Sequence, residues 1–115
     1  MISVKAFTAA ALGFPEAKDK PHFDRTAFYV DAPKGKTFVT LAGDEASANI
    51  VFTREQQDML CAAEPDMFAP VPNKWGEKGW TTMTLAALDT ATLQSALTMA
   101  WMNAAPTKLH DRLSV

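Results

Sequence analysis

The sequence predicts an α+β fold: two layers, with one antiparallel sheet carrying helices on one face. Three observations carry this. Apolar residues recur at helical spacing near both ends and in the middle of the chain. Short runs of strand formers joined by tight turns lie between. The segments come in blocks (helix, three strands, helix, one or two strands, helix) and do not alternate, which argues against a doubly wound parallel sheet. The other sheet face is left open to solvent or to a partner.

The first helix starts after Ser3, a favoured N-cap, and Val4, Phe7, Ala11 and Leu12 share one face. Gly13 and Pro15 end it. From about Pro21 to Phe52 the period becomes that of strands. Ala27–Val30, Lys36–Leu41 and Ala48–Phe52 are the strands, and Pro33-Lys34-Gly35 and Gly43-Asp44-Glu45 the turns between them. Thr53-Arg54-Glu55-Gln56 has the form of a capping box. The helix it opens carries Met59, Leu60 and Ala63 and ends before Pro65. Met67–Pro72 is extended, and Trp80–Leu85 is a further strand after a loop. Asp89 caps the last long helix, with Leu93, Leu97, Ala100, Trp101 and Ala104 as its apolar stripe. Pro106 stops it, and Lys108–Leu113 adds a terminal turn.

At 115 residues the chain makes one domain, residues 1–115, long enough to build a core without staples. Hydrophobic residues at 48% and charged residues at 21% exclude disorder, collagen and coiled coil for the whole chain. A single cysteine, Cys61, rules out an intrachain disulfide, and with two histidines it cannot fill a four-ligand thiolate and imidazole zinc site. No run reaches the roughly 18–20 apolar residues of a membrane helix. The stretch after Lys5, Ala6 to Phe14, faintly imitates a signal peptide but lacks a cleavage box and reads as an amphipathic helix. The cytoplasm is the expected location.

Lys74-Trp75-Gly76-Glu77-Lys78-Gly79-Trp80-Thr81 is the most distinctive segment. With Gly13-Phe14-Pro15-Glu16, Pro21-His22-Phe23, Ala48-Asn49-Ile50, Pro70-Val71-Pro72 and Ala105 to Leu109, it resembles the YjbR family, also called MmcQ/YjbR, over about Ala9 to Leu109. These are small bacterial proteins that carry a DNA-binding label. The resemblance marks His22, Phe23, Asn49, Trp75, Gly76, Gly79 and Trp80 as motif residues. It implies a fold similar to frataxin-like proteins and type III secretion chaperones, and it brings no catalytic motif. Many relatives have Gly where this chain has Asp24, an acid that counts against a phosphate contact beside His22.

Each motif has two readings. Gly76 and Gly79 allow positive φ, so the chain can turn tightly between Trp75 and Trp80. Lys74 and Lys78 beside these rings suit stacking on unpaired bases with phosphate attraction, or cation–π packing within the protein. In the plainer reading the tryptophans close one end of the core. His22 could serve as acid, base or ligand, but stands alone and reads as a hydrogen-bonded strand-end residue. Cys61 reads as a buried inert thiol. Asp44, Glu45, Glu55, Asp58, Glu64 and Asp66 read as a solvated face rather than an iron site. Gly35 belongs to a turn, not to a phosphate loop.

The net charge of −2 argues against histone-like DNA binding, but it is unevenly spread. Residues 41–66 hold the six acids against Arg54 alone, whereas residues 18–40 and 67–85 are each mildly basic. The expectation is a non-enzymatic, cofactor-free DNA-binding protein of modest affinity. Its contacts are Arg25, Lys34, Lys36, Lys74 and Lys78, with Trp75 stacking. The alternative is a protein-interaction or chaperone-like module using the open sheet face, with homodimerisation as its simplest version.

Overall fold

The structure, a computed structural model, describes residues 2–113. Its order is α1 (Val4–Leu12), β1 (Ala17–His22), β2 (Arg25–Val30), β3 (Thr37–Leu41), β4 (Ser47–Val51), α2 (Arg54–Ala63), β5 (Phe68–Pro70), α3 (Lys74–Glu77), β6 (Trp80–Thr84) and α4 (Thr90–Ala104). Short 3₁₀ segments, Leu85–Ala87 and Thr107–Arg112, follow β6 and α4. The strands form one six-stranded sheet in the order β1-β2-β3-β4-β6-β5, each neighbour antiparallel. The fold is α+β, as the block order predicts.

The helix starts are where the capping residues put them, because a side-chain oxygen there satisfies an otherwise orphan N–H. Ser3 accepts from the Ala6 N–H at 3.1 Å, and Asp89 from the Thr92 N–H at 2.6 Å. Thr53 and Gln56 form the reciprocal capping box: the Gln56 N–H donates to the Thr53 hydroxyl and the Thr53 N–H to the Gln56 side chain.

β1 departs from expectation. Its sequence, Ala17-Lys18-Asp19-Lys20-Pro21-His22, has no apolar alternation, because it is an exposed edge strand whose hydrogen bonds come from β2. The apolar stripes also need correction. Leu12 and Met59 are exposed, and the inward face of α2 is Gln57, Leu60 and Cys61. The segment before β6 is not all loop but contains the one-turn helix α3.

The register separates the two sheet faces. Leu41 pairs with Ala48 and Ala48 with Met83; Val39 pairs with Ile50 and Ile50 with Thr81. These side chains are buried beneath the helices. α4 lies across β2, β3 and β4; α1 packs on α4 and β1, and α2 lies beside β5. Trp101 of α4 is fully buried, its indole N–H donating to the Pro15 carbonyl at 3.0 Å, with the Phe14 ring stacked on it at 6.2 Å. A register shift at Phe28/Tyr29 leaves Phe38 without an opposite residue, and consecutive Phe38 and Val39 are both buried. Residues of the other phase, Ala27, Thr40, Asn49, Thr82 and Ala69, form a cross-strand row on the face the long helices leave open.

Candidate nucleic-acid interface

The Trp loop is fastened from below by α2. The buried Gln57 amide donates to the carbonyls of Gly76 at 2.9 Å and Trp80 at 3.0 Å, and lies 3.2 Å from the Thr81 hydroxyl. Arg54 adds a hydrogen bond to the Glu77 carbonyl at 3.1 Å. Asn73 starts α3 by accepting from the Trp75 N–H at 2.8 Å. Both motif glycines are required, for different reasons. Gly79 has φ +106, and a Cβ there would stand 1.9 Å from the Phe52 carbonyl oxygen. Gly76 lies within α3 and does not use positive φ; a Cβ on it would meet the Val71 carbonyl oxygen at 1.9 Å.

This fastening presents the two tryptophans unequally. Trp75 is 58% exposed, whereas Trp80 is half-buried on the open sheet face. The Lys78 ammonium lies 5.1 Å from the centre of the Trp75 ring, a cation–π contact within the protein. The reading that both tryptophans close the core therefore fails for Trp75. The tryptophan that does fill the core is Trp101.

A groove of about 290 Å³ crosses the open face. His22 and Arg25 line it near the β1–β2 turn, Thr40 and Asn49 near its middle, and Trp75 and Trp80 toward the Trp loop. The Arg25 guanidinium is held in place by Thr40, its Nε donating to the hydroxyl at 2.9 Å and Nη2 to the carbonyl at 3.0 Å. It has no carboxylate partner among the described residues, where the ion pairs are Lys18–Asp31 and Arg112–Glu16. The Asn49 side-chain oxygen accepts from the Thr82 hydroxyl at 2.9 Å.

The predicted contact residues are only partly brought together. Arg25 and Trp75 share the groove. Lys74 and Lys78 flank Trp75 in α3 and at its end. Lys34 and Lys36 are exposed in the β2–β3 turn, outside the groove lining. That turn adjoins Thr37, at the sheet end where Val51 pairs with Trp80. Among the motif residues, His22 is exposed and meets Phe23 edge-on at 4.9 Å rather than sitting in a hydrogen bond among the described residues. Phe23 is 94% exposed in a turn position with φ 58.

Sequence reasoning missed Thr40 and Gln57. Gln57 stands three residues before Leu60 and four before Cys61, the spacing of an inward-facing residue, and that was the available signal. Cys61 is half-buried, not buried; desolvation and the nearby Asp58 push its thiol pKa up. The six acids at 44–66 are all exposed, and among the described residues no three His, Cys, Asp or Glu side chains cluster to hold a metal. No described helix is long and apolar enough to cross a membrane.

No curated protein matches the chain. Among solved structures it is similar to the crystal structure of a Deinococcus radiodurans protein, DR2400, whose domain is described as DUF419. The TM-score is 0.77 at 20% sequence identity, covering 94% of this chain and 82% of that one. At that identity the likeness shows the fold alone. The YjbR family model spans residues 12–103, most of the chain and all of its sheet, and the chain belongs to the YjbR family.

Proposed function

We propose that this protein binds DNA, as unpaired strand rather than duplex, on the open face of its sheet and without chemistry of its own. The observation that carries this is the exposed Trp75 ring at the rim of a groove that also holds Trp80 and Arg25. An exposed ring with cations beside it stacks bases regardless of their identity and attracts the backbone. Duplex bases offer no free face for that contact. Lys74 and Lys78 supply phosphate attraction at the rim, and Lys34 and Lys36 extend it along the same sheet end. With a net charge of −2 the affinity is modest and salt-sensitive. The cytoplasm, where DNA is accessible, fits this role.

Fluorescence anisotropy with labelled single- and double-stranded oligonucleotides tests the proposal. Tighter binding of the single strand, weakening as salt rises, is the expected result. No binding at about 50 mM salt, or binding indifferent to salt, overturns it.

Phe23 favours a second reading, a protein-interaction module. A large apolar side chain held almost fully exposed at a turn resembles the anchors of protein interfaces. Strand addition is poorly served, since both sheet edges carry proline, Pro21 in β1 and Pro70 in the three-residue β5. Light scattering across concentration together with a pull-down separates this reading from a monomeric DNA binder.

A further inference from the structure

We infer that the open-face groove is a seat for one nucleotide unit, with its phosphate on Arg25 and its base against the tryptophans. This rests on the nucleic-acid reading of the same face and adds a stoichiometry and a polarity to it. Arg25 is the first reason. Thr40 occupies Nε and one Nη2 hydrogen, which locks the guanidinium plane and leaves the rest of its fork for another acceptor. A fixed, half-buried guanidinium without a counter-ion among the described residues is preorganised for a phosphate or carboxylate.

The groove lining is the second reason. Among the described residues it contains no Asp or Glu, the exposed Asp24 of the β1–β2 turn standing outside it, although acids outnumber bases in the chain. Its polar groups are amides, hydroxyls, one imidazole and the guanidinium. Because the Asn49 oxygen accepts from Thr82, its amide NH₂ remains as a donor, suited to a base carbonyl. Trp75 and Trp80 add aromatic surface. The third reason is size. About 290 Å³ lies just below the usual span of ligand cavities, roughly 300 to 1,000 Å³. A recess of this size is of the order of a single nucleotide unit.

The shared chemistry, a planar base bearing a phosphate, could come from a free nucleotide or from the end of a strand. Tryptophan fluorescence of the full chain, titrated with thymidine 5′-monophosphate, thymidine and inorganic phosphate, tests the seat. Oligothymidylate with and without a 5′-phosphate, followed by anisotropy, distinguishes the sources. The monophosphate is expected to bind saturably and at least about tenfold tighter than thymidine, with phosphate competing. In Arg25→Gln that preference should vanish while the circular dichroism spectrum is retained; Arg25→Lys, which keeps charge but loses the fork, should retain part of it. A 5′-phosphate effect on the oligonucleotide assigns the seat to strand ends, and its absence to free nucleotides. Oligonucleotide binding without monophosphate binding overturns the one-nucleotide seat and spares the DNA reading. Equal affinity for thymidine and its monophosphate overturns the role of Arg25. Loss of all binding overturns both.

Discussion

The side-chain amide of Gln57 donates to the main-chain carbonyl of Trp80 at 3.0 Å, tying a helix on one side of the sheet to the aromatic residue displayed on the other. The same amide holds Gly76. Gln57→Leu removes both hydrogen bonds, each worth about 0.5–1.5 kcal/mol net, while the Gly76 and Trp80 carbonyls keep the Gly79 and Val71 N–H groups as donors. Urea unfolding should show that loss. Trp75 emission should shift as well, since the loop that carries it is released; an unchanged spectrum would mean the loop holds itself.

Glycine substitutions should separate strain from space. Gly79→Ala forces a side chain into φ +106 and against the Phe52 carbonyl, so a large fall in thermal midpoint is expected. Gly13→Ala is the contrasting case. Its φ is −74 and its nearest contacts stand at 3.4 Å, so the change should be neutral or stabilising by up to about 1 kcal/mol.

Trp75→Ala should weaken single-strand binding by about 1–3 kcal/mol, the worth of one stacked base. Its exposure means the unfolding midpoint should barely move. Lys74→Ala should lower affinity more evenly across sequences and flatten the salt dependence. Anisotropy titrations at several salt concentrations would read both. A Trp75 variant that binds like the parent would remove stacking from the mechanism.

The capping box makes a simple prediction about α2. Thr53→Ala leaves the Gln56 N–H without its acceptor and should cost about 1 kcal/mol by chemical denaturation. Since α2 carries Gln57, the loss should also appear as faster hydrogen exchange in the Trp loop.

Cys61 supplies a pH prediction. Desolvation and Asp58 both disfavour the thiolate in the folded chain, so its pKa is raised. Alkylation by iodoacetamide should therefore lag behind that of an unfolded control at mildly alkaline pH, and the gap should close at higher pH. The folded state prefers the neutral thiol. This group's contribution to stability is thus complete below the unfolded thiol's ordinary range and lost as pH rises through the folded value.

The blocks of helix and strand were legible because each long element buries one side and so shows its period. Caps were legible because they are local: Ser3, Thr53 and Asp89 need only neighbours three residues away. β1 was not legible, since a strand exposed along an edge has no buried face to record in its composition. The site divides in the same way. The Trp motif stands in one continuous segment and was visible, and Arg25 was visible as a charge. That Thr40 grips Arg25 depends on pairing between strands 15 residues apart in the chain. Gln57 reads as one more polar residue on an acidic helix until the fold turns it inward.

Thr40 and Leu41 are neighbours in the chain and belong to different problems. Leu41 lies under the helices, while Thr40 holds the guanidinium on the open side. Along β4 and β6 the same alternation assigns one residue to keeping the protein folded and the next to what it meets. The vocabulary of the groove can therefore be rewritten at alternate positions while the grammar of the core stays intact. A shift of one residue in either strand would exchange the two sets.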